Sequence, residues 1–436
     1  MAYTIDEEST MRDSRIASIT AREVFTDRGH PGVESTVVLQ DGSAGTAVVT
    51  AGVSVGEFEV QFVYDGGTKW GGKGVRKAVD NVNAILGPAL IGKDATDQTG
   101  IDQLLIELDG TPTKKNLGGN ATGSISAAVL QAGAHSVGLP LYRYIGGIEA
   151  CTLPVPGVLA QVGHDRYGGG RNPGGKPTYS FICHGFGSFA EASYAAWEVQ
   201  KEFFALVLKY FNVGTYREAC VIPKGKIKHD REMWDVMAEA VKNTKYVDRI
   251  GFQVDVAATT YYDPADDLYK GLFSDEPKTK DDLSKLYHEM VRNYPFVIIE
   301  DPLQELDYEG HAMLTRELGI QITGDDLFTT NVSRLTKGFE VGAANTMLLK
   351  VYQIGTITEA FQAVELAYQH NYNVMPCDSR GEGVLIADYV VGLGTGHLRE
   401  GALGPIGNRF LKIEQELGSR AQFLGLQALK GKHRNC

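Results

Sequence analysis

Four apolar runs in the second half of the chain each carry a charged side chain at or near their end, and this pattern restricts the fold more than any other feature. The runs are GFQVDVAA with Asp255, YPFVIIEDP with Glu300, IQITGDDL with Asp325 and NTMLLKVYQ with Lys350. The last three charges lie 25 residues apart (325 − 300 and 350 − 325), the length of one strand, one helix and their loops. Side chains at the carboxyl ends of successive parallel strands converge on one rim of a barrel, where active sites are built. Three carboxylates on that rim repel one another unless a hard divalent cation such as Mg²⁺ lies among them. A lysine beside that cation gives up its proton more readily than in water. Together these groups are the equipment for removing a proton from a carbon next to a carboxylate.

The rest of the chain fits a large enzyme. At 436 residues and 43% hydrophobic content it can bury an extensive core and form two domains. A formal net charge of −12 argues against a nucleic-acid surface, which needs a basic face, and suits ordinary cytoplasmic solubility. The five cysteines (Cys151, Cys183, Cys220, Cys377 and Cys436) are dispersed without a CxxC pair, as expected of reduced thiols rather than a disulfide framework. The polar, acidic start MAYTIDEESTMR has no secretory core, and no apolar run reaches a membrane span. Residues 1–14 are expected to form a flexible tail.

Residues 15–64 alternate like strands, with DG and RGHPG as turns, and residues 75–145 change to helical spacing. Strands followed by segregated helices describe a small α+β domain over 15–148. TLPVPG (152–157) punctuates the boundary, and the barrel is expected over 149–436, with helices over FAEASYAAWEVQKEFFALVLKYF and DREMWDVMAEAVKN before the βα units. The segment GHDRYGGGRNPGGKP (163–177) is too rich in glycine and proline for a regular element and is a loop or lid candidate.

Ordered blocks along almost the whole chain resemble the enolase (phosphopyruvate hydratase) family: AREVFTDRGHPGVE (21–34), GKGVRKAVDNVNAILGPALIG (73–92), LDGTPTKKNLGGNA (108–121), IIEDPLQELD (298–307), ITGDDLFTTN (322–331), LLKVYQIGTITEA (348–360) and LKIEQELG (411–418). The resemblance implies a modified (β/α)8 TIM-like barrel with a smaller N-terminal α+β domain, in a homodimer or higher homo-oligomer. By position it makes Asp255, Glu300 and Asp325 the Mg²⁺ ligands and Lys350 the general base, the established pattern of this superfamily. Ser54 in AGVSVGEFE (51–59) matches a loop serine that closes over the substrate and joins a second Mg²⁺, with Gly52 and Gly56 as hinges; read by itself it is a turn serine.

The acid side of the site departs from the family. Where enolases carry a Gly-Asp-Glu-Gly-Gly segment this chain reads VIPKGKIKHD (221–230), placing Lys224 at the glutamate's position. Tyr179-Ser180 replaces a Gln-Glu pair, and His164 is the nearest counterpart of the lid histidine. The phosphate-binding segment becomes Asp378-Ser379-Arg380-Gly381-Glu382, Arg399 stands where a lysine holds the substrate carboxylate, and Tyr352 replaces an asparagine. Expelling hydroxide needs a proton in the transition state. Lys224 is therefore a candidate acid, a member of an anion clamp with Lys226, Arg380 and Arg399, or a solvated surface residue.

Three functions follow. The first is a Mg²⁺-dependent lyase that forms an enolate from a phosphorylated or phosphonylated hydroxy acid and is a specialised paralogue; a carboxyphosphonoenolpyruvate synthase-type enzyme is one form. The second is ordinary glycolytic dehydration of 2-phosphoglycerate to phosphoenolpyruvate. The third is a catalytically degenerate binding protein, which retention of the carboxylates and Lys350 opposes.

Overall fold

The structure, a computed structural model, describes residues 13–26, 29–52, 58–163, 165–168, 175–215 and 219–431. It divides into two compact units: Met1–Thr50, Val60–Tyr144 and Gly355–Thr358 in one, Ala51–Glu59, Ile145–Ile354 and Glu359–Cys436 in the other.

The first unit opens with an antiparallel meander, β1 (Ile16–Phe25), β2 (Pro31–Leu39) and β3 (Ala44–Val49). Along β2 the burial alternates from Val33 onward, so one face meets the core and the other solvent. Helices α1 (Gln98–Asp109) and α2 (Gly119–Ser136) follow. Small residues dominate α2, which is buried over nearly its whole circumference, as a helix without a polar face must be. The alternation expected to run on to residue 64 ends at β3. Beyond the undescribed residues, Gln61 instead exchanges backbone bonds with Thr113 and Gly119, at 2.7 and 2.8 Å, and Val63 N–H donates to Asn120 Oδ1 at 3.1 Å. The start of α2 takes the bonds a strand ladder would have used.

The second unit is the expected modified barrel. Its strands are β4 (Val155–Gly163), β5 (Gly175–Cys183), β6 (Ile250–Asp255), β7 (Phe296–Glu300), β8 (Gln321–Gly324), β9 (Thr346–Leu349), β10 (Asn373–Pro376) and β11 (His397–Leu398). They lie side by side in the order β10-β9-β8-β7-β6-β5-β4-β11. The backbone N–H of Arg399 donates to Pro376 O at 3.1 Å and joins the two ends. All pairings are parallel except those of β5, which is antiparallel to both neighbours. Every residue of β6 is buried, as in strands covered on both faces.

Helix α3 (Phe189–Phe211) begins at Ser188, whose hydroxyl accepts the Glu191 N–H, and ends at Asn212 in the left-handed region. Helices α4 (Arg231–Asn243) and α5 (Lys280–Asn293) follow; Thr279 and Asp282 form a reciprocal capping box on α5. Edge-to-face contacts join Phe181 to Phe203 and Phe252, and Trp234 to Phe296, packing α3 and α4 onto the strands. No helix among the described residues is long and apolar enough to cross a membrane.

Candidate active site

Asp255 and Glu300 are the last residues of β6 and β7 and face each other in register. Asp325 and Lys350 each follow their strand, β8 and β9, by one residue. The strand ends thus bring all four sequence-expected residues to one rim. Their fractional exposures are 1, 0, 4 and 2%, so each charge needs a partner to be tolerated. Lys350 Nζ lies 2.5 Å from Asp325 Oδ2. Arg399 reaches both other carboxylates: Nη2 bonds Asp255 Oδ2, and Nε is 3.2 Å from Glu300 Oε2. Lys176, from β5, ion-pairs with the same Asp255 oxygen. Gln353, in the turn after Lys350, donates to Asp325 Oδ1 at 3.4 Å and is held by the Thr330 hydroxyl at 2.9 Å.

Two glycines permit this convergence. A Cβ on Gly157 would overlap the Arg399 carbonyl oxygen, and one on Gly163 would overlap the Lys176 backbone. Any larger residue at either position displaces the strand that delivers a cation to the rim.

Asp301 is a member of the cluster that the sequence pattern did not single out. It has φ 42°, a left-handed conformation that an aspartate tolerates at a local cost. Its carboxylate accepts the backbone N–H groups of Asp325 and Asp326 at 3.0 and 2.7 Å, which fixes the loop that presents Asp325. Oxygens of Glu300, Asp301 and Asp325 all lie within 4.8 Å of one another. Asp255 is outside this tightest group, held by its two cations; with its oxygens turned to the 325–326 backbone, Asp301 orients the site.

Protonation follows the crowding. Burial and the neighbouring Asp326 and Asp325 carboxylates hold the Asp301 acid well above the usual range. Burial, then Asp325, pushes Asp326 up to about 7. Burial opposes the charge on Lys350, but the Asp325 carboxylate outweighs it and the ammonium is stabilised. Burial and then the Arg399 charge push Lys176 down to about 8.

The donor set fits a hard divalent cation. Three cations, Lys176, Lys350 and Arg399, pair with Asp255, Glu300 and Asp325, and two more buried carboxylates, Asp301 and Asp326, stand next to them in sequence. Asp255 Oδ1 and Glu300 Oε1 are buried without a hydrogen-bond partner, and unpartnered carboxylate oxygens suit an oxygen-seeking ion.

The remaining expected residues fall elsewhere or are engaged. Arg380, expected to clamp an anion, is buried and held by both oxygens of Glu59, at 2.5 and 3.0 Å. Ser379 is half-buried beside it, and Glu382 accepts the backbone N–H groups of both residues, at 3.1 and 2.7 Å. Of the three readings open for Lys224, its position fits the solvated surface residue: it lies exposed on the turn after Pro223, as does Lys226. Burial of Ile222 and Ile227 and the bridge between Cys220 and Gln161 anchor that segment with its lysines outward. Ser54 and His164 lie outside the described residues.

Tyr179 and Tyr352, at two of the altered positions, are buried. The Tyr179 hydroxyl donates to Asp230 at 2.8 Å, alongside Arg166 and Tyr167 at 2.9 and 2.8 Å. This network ties residues 165–168 to the start of α4. No spacing signal announced it, because its members are far apart in sequence.

A small α+β unit and a modified TIM barrel with an acidic, lysine-bearing rim define the class of protein. Residues 16–145 match the family described as "Enolase, N-terminal domain", and residues 178–432 match "Enolase, C-terminal TIM barrel domain". A protein named Enolase from Methanopyrus kandleri is 43% identical over 425 residues, covering 94% of this chain and 97% of its own. Enolase from Methanocaldococcus jannaschii is 40% identical over 415 residues (92% and 96%). That from Corynebacterium kroppenstedtii is 39% identical over 429 residues (95% and 98%). The chain belongs to the enolase family and is a carbon–oxygen lyase of that family.

Proposed function

We propose that the chain is a Mg²⁺-dependent, cytoplasmic enzyme that removes the α-proton of a phosphorylated 2-hydroxy acid, with 2-phosphoglycerate as its first substrate to test, and that it works as a homodimer or higher homo-oligomer. The observation that carries the reading is the rim itself: Asp255, Glu300 and Asp325 converge at strand ends with Lys350 among them. Asp255, Glu300 and Asp325 would hold the ion, with Ser54 joining a second one when substrate binds. A bound Mg²⁺ supplies positive charge opposite the carboxylate oxygens on which negative charge builds during proton removal. Lys350 Nζ would take the proton once a cation on Asp325 offsets the carboxylate charge that stabilises its ammonium, and the Gln353 amide keeps Asp325 in place. Arg399 holds the substrate carboxylate, Ser379 and Arg380 meet the second anionic group, and His164 is a further candidate for the acid side. Burial of Asp255, Glu300, Asp325, Lys350 and Arg399 excludes water from them, which strengthens each charge interaction.

The relatives' shared name supports complete dehydration to phosphoenolpyruvate. A second reading, a specialised paralogue with the same first half-reaction, is favoured by one feature: Tyr179 is committed to Asp230 and Lys224 faces solvent, so the acid side differs from the family pattern. Purified protein with Mg²⁺ and 2-phosphoglycerate separates the two. A rise in ultraviolet absorbance from phosphoenolpyruvate is expected of ordinary dehydration; exchange of the C2 proton in D₂O without that rise indicates the specialised enzyme. Absence of both with 2-phosphoglycerate and with phosphonylated analogues refutes the proposal.

A further inference from the structure

Lys176 has no place in the expected machinery, yet it stands at the metal rim. Three features of the backbone fix it there. Gly163 pairs with Gly175 across β4 and β5 and has no side chain to hold Lys176 away. The Tyr261 hydroxyl donates to the Lys176 carbonyl at 2.5 Å. Thr178, two residues on, is in register with Asp255. From this anchorage the side chain, only 11% exposed, carries its ammonium to Asp255 Oδ2, which already accepts from Arg399. Two cations therefore share one oxygen of a carboxylate assigned to the metal.

We propose that Lys176 is a metal-gated substrate clamp: its ammonium competes with the divalent cation for Asp255, yields that carboxylate when the cation binds, and then takes an oxyanion of the substrate. The inference rests on the metal-site reading above. A cation arriving at the unpartnered Asp255 Oδ1 meets a like charge on the other oxygen of the same carboxylate, so the ammonium is driven off it. The pinned backbone and the short reach of a four-carbon stem keep it in the pocket. A buried ammonium without an anion is strongly disfavoured. Glu300 and Asp325, the other carboxylates closest to it electrostatically, are ones the cation also claims. The substrate's phosphate or carboxylate is then the counter-charge that arrives next, and a compact, rotatable ammonium suits either. The consequence is an order of binding, metal before substrate.

The test compares wild type, Lys176→Met and Lys176→Arg by calorimetric titration with Mn²⁺, then with 2-phosphoglycerate at saturating Mn²⁺. Lys176→Met is expected to bind Mn²⁺ about tenfold more tightly (about 1.4 kcal/mol) and 2-phosphoglycerate about tenfold more weakly; Lys176→Arg should stay close to wild type in both. Mn²⁺ affinity of Lys176→Met within twofold of wild type, or unchanged 2-phosphoglycerate affinity, overturns the inference. Failure of wild type itself to bind Mn²⁺ would instead remove the metal-site reading. A second measurement needs no variant: acylation of Lys176 in the wild-type protein, followed by peptide mass spectrometry, should rise on adding Mn²⁺ and fall again with 2-phosphoglycerate. Labelling indifferent to both additions also overturns it.

Discussion

Removing Glu59 should destabilise the barrel unit more than any exposed charge change, and removing its partner as well should restore most of the loss. The Arg380–Glu59 pair is buried on both sides, with side chains 2% and 4% exposed, and bonds through both carboxylate oxygens. Breaking a buried ion pair from one side costs roughly 3–5 kcal/mol, because the surviving charge stays out of water. Glu59→Gln keeps one acceptor and should fall at the low end, about 3 kcal/mol; Glu59→Leu should reach about 4–5 kcal/mol. Replacing both ions by apolar groups of similar volume is often near neutral. Glu59→Leu/Arg380→Met should therefore lie within about 2 kcal/mol of wild type, a coupling of about 3 kcal/mol or more. Urea denaturation followed by the fluorescence of Trp234, which is buried in the same unit, measures each variant. Single losses that simply add in the double variant would show that the two side chains are not energetically paired.

Two further outcomes follow from the buried polar groups. His397 accepts the Gln321 amide at Nε2 (2.9 Å) and points Nδ1–H at the Thr395 carbonyl, while the Gln321 oxygen is fixed by the Lys430 N–H at 3.1 Å. Burial lowers its pKa to about 4. The unfolded chain then binds the proton first, so this stability is complete above about pH 6.5 and is lost as pH falls toward 4. The fall in unfolding free energy from pH 7 to pH 5 should be about 2 kcal/mol smaller in His397→Gln than in wild type; equal falls would contradict the assignment. Asp301→Ala frees the Asp325 and Asp326 backbone N–H groups and should weaken Mn²⁺ binding by about tenfold, the common cost of losing an orienting partner behind a metal ligand. Unchanged Mn²⁺ affinity by titration would show that Asp301 does not orient the site.

The barrel and its rim were legible because the pattern that encodes them is local. Asp255, Glu300, Asp325 and Lys350 each close an apolar run, and strand geometry turns that regularity into convergence. Other parts depend on contacts between distant residues. Glu59 and Arg380 are 321 positions apart, and Lys176 reaches Asp255 from a segment whose glycines and prolines read as irregular. The role of Asp301 depends on a positive φ next to a strand end, which no side-chain pattern encodes. Strand alternation misled over residues 60–64, where the backbone bonds go to a helix terminus. The exposure of Lys224 follows from the buried isoleucines that flank it, Ile222 and Ile227, and could not be read from its own position.

The central claim is that Lys350 removes a proton from a substrate held by a cation on Asp255, Glu300 and Asp325. The most direct measurement is deuterium exchange at C2 of 2-phosphoglycerate in D₂O with Mg²⁺, for wild type and Lys350→Ala, with Mn²⁺ affinity of both proteins determined alongside. Wild type should exchange, Lys350→Ala should lose exchange by several orders of magnitude, and Mn²⁺ affinity should be largely retained. Undiminished exchange in Lys350→Ala with intact metal binding would contradict the claim.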